Sequence, residues 1–218
     1  METDLWALVR GILRGLGVTL EVYLLGALLA LVVSLVVALM RLSSWKSLRG
    51  ISTFYVEFIR GTSLLVQLFW IFYALPVLLG ISMSALAAGV LGLTLNYGAY
   101  GSEVVRGAIQ AIDKGQTEAA IALNMGPALR LRRIILPQAW PVMLPSLGNL
   151  LIELLKGTSL VSLITLSDLT FQGMSLRTTY ARDELLIFGI LLVIYFTIAL
   201  LSTLFIRYLE RRAAVGRG

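Results

Sequence analysis

Cysteine and histidine are both absent from the 218 residues. Without cysteine there is no disulfide and no thiolate nucleophile. Without histidine the commonest general base and metal ligand is missing. No group of acids has metal-ligand or nucleophile–base spacing, which argues against a membrane-embedded enzyme. No P-loop pattern occurs, so the chain cannot hydrolyse ATP by itself. Charge is also scarce, at 14% of residues.

What fills the chain instead is apolar. Hydrophobic residues make up 58% of it, and the mean hydropathy is +0.90. Soluble domains run nearer half apolar and a quarter charged. Several runs approach the roughly 20 residues needed to cross hydrocarbon. The first residues, METDLWALVR, are acidic before they are apolar and carry no small-residue cleavage site, so no removed signal peptide is expected.

Five hydrophobic segments are expected to span a membrane, at about 16–40, 54–79, 85–105, 141–166 and 185–206. Each is read as helical, because hydrocarbon leaves an open backbone unsatisfied. The fold class is therefore an all-α membrane protein forming a single domain over 1–218. The third segment holds Gly89, Gly92, Gly98 and Gly101, small residues that let helices approach closely.

The net charge of +6 reads as topology, with no nucleic-acid partner implied. Arg41, Lys46 and Arg49 follow the first span. Arg106, Lys114, Arg130, Arg132 and Arg133 follow the third, and Arg207, Arg211, Arg212 and Arg217 follow the fifth. Basic connections stay in the cytoplasm. The uncharged connection 80–84 and the mixed connection 165–184 fall outside. The N-terminus is then outside and the C-terminus inside, with Arg10 and Arg14 running against the rule.

Residues 57–64 read EFIRGTSL and residues 153–160 read ELLKGTSL. The cassette lies in spans two and four, which run in the same direction. Matching Gly-interrupted segments in transporter halves point towards a substrate site. Glu153 and Lys156 sit roughly 20 Å along span four, near mid-membrane. Intramembrane charge is costly and usually faces a cavity or a partner. An acid, a cation and hydroxyls suit a zwitterion, so Glu153, Lys156, Thr158 and Ser159 are candidate solute residues. Arg60, Thr62 and Gln67 are the counterparts in span two. The other reading, that Glu57–Arg60 and Glu153–Lys156 neutralise each other at i,i+3, stays open. Glu103 and Arg106 repeat that spacing and read as an interfacial salt bridge.

Between spans three and four lies a polar, basic loop of about 113–137, containing EAAIALNMGPALRLRRIILP. Asp113–Gln116 reads as a turn and Thr117 as the N-cap of a short helix. Asn124 and Gly126 both tolerate a left-handed backbone and are expected to break that helix. Pro127 suits the first position of a second helix. Pro137, Pro141 and Pro145 punctuate the return to the membrane. A helix–turn–helix elbow results.

Glu118, Ala119 and Ala120, followed by Ile134, Leu136 and Pro137, resemble the EAA motif of ATP-binding cassette importer permeases. The family's Gly falls on Asn124, a departure. The stretches FIRGTSLLVQ, LKGTSLVSLITLSDL and YLERR resemble the polar amino acid branch, of the histidine, glutamine and arginine type, among type I importers. The resemblance implies a permease in the inner membrane of a bacterium or archaeon. It implies a second permease, the same chain or a homologue, and a solute-binding protein outside. It also implies two ATPase subunits carrying ATP and Mg, with no cofactor in this chain. The elbow would be their coupling helix, with Glu118, Ala119, Ala120, Asn124 and Gly126 at the contact. The solute would be a polar amino acid or a similar zwitterion such as ectoine, moved by alternating access. A self-sufficient channel or proton-coupled secondary transporter is the alternative, and it gives the elbow no task.

Overall fold

The computed structural model describes residues 5–214. The acidic residues of 1–4 and Arg217 lie outside them. Every regular element among the described residues is helical. The order is α1 (Leu5–Leu13), α2 (Leu16–Leu42), α3 (Lys46–Arg60), α4 (Leu64–Phe69), α5 (Leu75–Leu79), α6 (Ala85–Gln110), α7 (Lys114–Ala122), α8 (Pro127–Arg130), α9 (Leu136–Thr158), α10 (Leu169–Thr179) and α11 (Glu184–Ala214). Widened π-helical turns join α4 to α5 and α8 to α9, and a 3-10 stretch, Ser159–Ile164, extends α9.

Small residues decide how the long helices meet. Gly26, Ala30, Ser34 and Ala38 recur every four positions on the buried side of α2. They face a glycine-rich side of α6. A Cβ on Gly98 would meet Val33 Cγ1 at 2.6 Å, and one on Gly92 would meet Leu68 Cδ2 at 2.6 Å. Ser34 Oγ donates to the Gly98 carbonyl at 3.2 Å. The glycines of α6 thus serve close packing.

Contacts along the helices give their directions. Gly26 meets Leu93, and Ala38 clusters with Val105, so α2 and α6 run the same way. Leu154 lies near Gly26 while Met143 clusters with Ala38, so α9 runs against them. Gly148 of α9 takes the side chain of Ile206 from α11. The central core gathers Val22, Leu68, Leu93, Leu154, Leu155 and Ile164. A separate cluster of Leu8, Ile12, Leu169, Ile187 and Leu191 fastens α1 and α10 over the start of α11. These helices form a cap at the end of the bundle opposite the elbow.

By length and hydropathy, three stretches suffice to cross a bilayer: Leu5–Leu42, Pro127–Ile164 and Ala181–Ala213. Lys46–Arg60 with Leu64–Leu79 makes a fourth if that pair, bent by 106°, is one broken span. Helix α6 has the length, 26 residues. Its many small and polar residues keep it out of that set.

The segment expected as one span over 54–79 is therefore two helices. Gly61, Thr62 and Ser63 are small and only weakly polar, which hid the break. Side chains take up the backbone groups that the bend frees. Thr62 Oγ1 donates to Phe58 O at 3.0 Å, and Gln67 Nε2 donates to Ile59 O at 2.8 Å.

Candidate functional site

The bend positions the first cassette against the second. A Cβ on Gly157 would meet Leu64 Cδ2 at 3.2 Å and the Tyr97 hydroxyl at 2.7 Å. The two Gly-Thr-Ser-Leu segments, far apart in sequence, thus converge beside one face of α6. The Tyr97 hydroxyl donates to the Glu153 carbonyl at 2.7 Å. One turn further along α6, the Tyr100 ring lies 5.2 Å from the Arg60 guanidinium carbon. That distance suits a cation–π contact.

The Arg60 side chain of α3 and the Glu153 backbone of α9 therefore meet neighbouring tyrosines of α6. Arg60, Glu153 and Lys156 are all exposed on the monomer. Among the described residues, Glu57–Arg60 and Glu153–Lys156 form no salt bridge. Helical spacing put each pair on one face, but the side chains do not close. Glu103 and Arg106 do close, at 2.7 Å, and Glu103 also pairs with Arg41 of α2.

The hydroxyl residues divide. Thr62 is exposed, and its hydroxyl accepts from Gln67 Nε2 at 2.7 Å. Thr158 is fully buried and donates to Leu155 O at 2.7 Å. Ser159 is half-buried and donates to Lys156 O at 2.8 Å. Gln67 is buried and braces the bend. Asn96 of α6 donates to Gln67 Oε1 at 3.0 Å. Asn96, Tyr97 and Tyr100 were not singled out from sequence. The available signal was three polar or aromatic side chains within five residues of a glycine-rich helix.

At the other end of α6 stands the elbow. Helix α7 starts at Lys114, earlier than expected, because Asp113 rather than Thr117 caps it. Asp113 Oδ1 accepts from the Gly115 amide at 2.6 Å. The turn that closes the helix holds Asn124 at φ +58°. The Asn124 amide donates to Ile121 O at 2.8 Å and the Met125 amide to Ala120 O at 3.0 Å. These two bonds are the Schellman pattern, normally closed by a left-handed glycine. Gly126 is extended, with φ −63°, and opens α8 instead of sharing the turn.

Ala120 is buried beneath the elbow, while Glu118, Ala119, Asn124 and Gly126 are exposed. Ile121 and Leu123 are exposed beside them at 56% and 76%. Neither Pro141 nor Pro145 ends a helix; both lie within α9. The second limb of the elbow is thus continuous with the helix that bears the second cassette.

A family model described as the binding-protein-dependent transport system inner membrane component matches residues 26–215. A probable amino-acid ABC transporter permease of Sinorhizobium fredii is 48% identical over 210 residues, covering 94% of this chain and 88% of the relative. The arginine transport system permease ArtQ of Bacillus subtilis is 35% identical over 204 residues, covering 92% and 91%. Among solved structures, a chain of an amino acid ABC transporter with histidines superposes with a TM-score of 0.86. It is 38% identical and covers 97% of this chain and 100% of its own. A chain of the inward-facing MetNI methionine ABC transporter shares the fold at a TM-score of 0.72 and 21% identity, covering 98% and 99%.

Proposed function

Because the chain belongs to the binding-protein-dependent transport system inner membrane component family, we propose that it is the membrane permease of a type I ATP-driven importer that brings an amino acid into the cytoplasm. Five spans, with the N-terminus outside and the C-terminus inside, make up a single permease domain. A second permease completes the pathway. Two ATPase subunits, holding ATP and Mg, dock on the elbow through Glu118, Ala119, Asn124 and Gly126. A solute-binding protein delivers the amino acid from outside. The relatives are named for amino acids, so ectoine drops out of the reading.

The observation that carries the solute class is Arg60 lying against the Tyr100 ring while Tyr97, one turn away, bonds the backbone of Glu153. A free amino acid presents a carboxylate and an ammonium a few ångströms apart. Arg60 and Lys156 suit the first, and Glu153 the second. The tyrosines offer ring faces and hydroxyls between them. Conversion of ATP energy falls to the partners; this chain positions the solute and transmits the closing of the ATPase pair.

The test is reconstitution into liposomes with the ATPase subunits and binding protein. ATP-dependent uptake from an equimolar mixture of the proteinogenic amino acids is expected, and the solute taken up identifies the substrate. Lys156→Ala is expected to abolish uptake while the complex still assembles. Normal uptake by that variant removes Lys156 from the solute site. Flux through the chain alone, without ATPase or ATP, rejects the importer reading.

A further inference from the structure

Between α9 and the end of α11 lies a small cleft, with a volume of about 130 Å³. Pro145, Gly148 and Asn149 line it from α9, and Thr203, Arg207 and Glu210 from α11. The two helices touch where Ile206 packs on Gly148, at the edge of the cleft. Thr203 spends its hydroxyl on Ala199 O at 2.8 Å. The other three polar side chains are unspent. Among the described residues Arg207 and Glu210 form no salt bridge, with each other or with any other group. The Asn149 side chain makes no hydrogen bond there either. Asn149 and Arg207 are exposed and Glu210 is half-buried.

The cleft opens on the polar face of α9. Asn149, Glu153 and Lys156 stand at i, i+4 and i+7, so they share one side of the helix, and all three are exposed. Asn149 lies about 6 Å from Glu153 along the axis and about 10 Å from Lys156, on the side of the elbow. Polar groups on a membrane helix face a water-filled cavity or a partner in preference to hydrocarbon. Arg207 and Glu210, three residues apart, share a side of α11 and hold opposite charges apart. A zwitterion bridges such a pair. Its carboxylate accepts from the guanidinium, and its ammonium donates to the Glu210 carboxylate. The Asn149 carboxamide can donate to the first or accept from the second. The volume is that of about four waters, which suits the charged end of an amino acid and leaves its side chain outside.

We propose that Asn149, Arg207 and Glu210 form a second amino acid site, on the cytoplasmic side of the cassette. It recognises the carboxylate and ammonium that all free amino acids share, and it does not select the side chain. A solute leaving Glu153 and Lys156 reaches it within two turns of α9 and is released from it to the cytoplasm. Amino acid already in the cytoplasm fills it from the other direction. The inference rests on the importer reading above for its ligand and its direction. The unpaired charges in the cleft stand apart from that reading.

The chain has no cysteine, so a single introduced thiol reports on the cleft. Thr203→Cys is made in the permease, assembled with its ATPase subunits in nanodiscs, and labelled with a water-soluble maleimide without ATP. Labelling of this chain is followed by mass. The equimolar mixture of proteinogenic amino acids is expected to slow it by roughly 5-fold once in about fourfold excess over its dissociation constant. Acetate or methylamine, each with one of the two charges, is expected to give no protection. Arg207→Ala and Glu210→Gln are each expected to abolish the protection, while Lys156→Ala keeps it, because the cassette is a separate site. If Thr203→Cys fails to assemble, Ile152→Cys, on the opposite wall, is expected to behave in the same way. The inference is overturned if the mixture gives no protection, or if protection survives Arg207→Ala and Glu210→Gln. It is also overturned if labelling is slow in phosphatidylethanolamine nanodiscs, fast in phosphatidylcholine ones and indifferent to the mixture, since a lipid headgroup then fills the cleft. ATP-independent uptake by wild type rejects the importer reading, and protection that persists there still supports the site.

Discussion

Asn96 of α6 donates its amide to the side-chain oxygen of Gln67 across 3.0 Å, on the helix that bends by 106° from α3. Gln67 spends its own amide on Ile59 O and Thr62 Oγ1. One buried carboxamide therefore serves the bend and the neighbouring helix at once. Gln67→Leu would leave the Asn96 amide without its acceptor and take the shortest donor from the Ile59 carbonyl, which keeps only Thr62. A loss of about 1–3 kcal/mol is expected for each unsatisfied buried group. It is read as a lower unfolding midpoint in detergent. Asn96→Leu, which strips only one of the Gln67 bonds, is expected to lose less. The double variant should lose less than the sum of the two.

The elbow is exposed at Glu118 and Ala119 and buried at Ala120. Glu118→Lys reverses a charge, and Ala119→Trp adds bulk, without touching the core. Both are expected to abolish co-purification with the ATPase subunits while the isolated permease keeps its helicity. Unchanged co-purification and transport by both variants would remove the elbow from the docking surface.

Asn124 holds the left-handed position of the α7 turn. Asn124→Gly is expected to be neutral or slightly stabilising to the elbow. Asn124→Val forces a β-branched residue into φ > 0 and is expected to cost about 1–2 kcal/mol. Hydrogen exchange of the Asn124 and Met125 amides, which close the turn, reads this directly.

Burial raises the Asp168 carboxyl above its ordinary 3.8, the hydrogen bonds from Phe171, Thr170 and Tyr195 opposing the shift without cancelling it. Among the described residues no cation pairs with it. A folded-state value above the unfolded one means that the folded chain holds the proton more tightly. The stability from this group is complete below pH 3.8 and is lost as pH rises through the folded value. Asp168→Asn keeps an acceptor for the Phe171 amide but no longer titrates. Its unfolding midpoint in detergent is expected to lack the decline with pH that wild type shows above 3.8.

The long helices were legible because hydrocarbon leaves the backbone no other choice. The elbow was legible because Asp113, Asn124 and Pro127 act locally, each through its own backbone preference. Even there, Thr117 looked like a cap only because the stronger acceptor lay four residues earlier. The break in the second expected span was hidden, since Gly61, Thr62 and Ser63 are small, weakly polar residues that a continuous helix also tolerates. What reveals it is Gln67 reaching back eight residues, a contact no window of spacing contains. Tyr97 and Tyr100 were hidden for a related reason. Their meaning lies in what α3 and α9 bring to them, and nothing along α6 announces those neighbours. Glu153 and Lys156 show the reverse: spacing placed them together, and the side chains stayed apart.

Pro127–Ile164 forms one nearly unbroken helical rod. Arg130 stands at one end of it and Lys156 near the other, about 39 Å apart at the rise of an α-helix. A rod of that length is a lever. A tilt of about 5° at the elbow would carry the Lys156 end through about 3 Å, the scale of a single hydrogen bond. If the elbow docks the ATPase subunits as proposed, small rotations there are large enough to make or break contacts at Lys156.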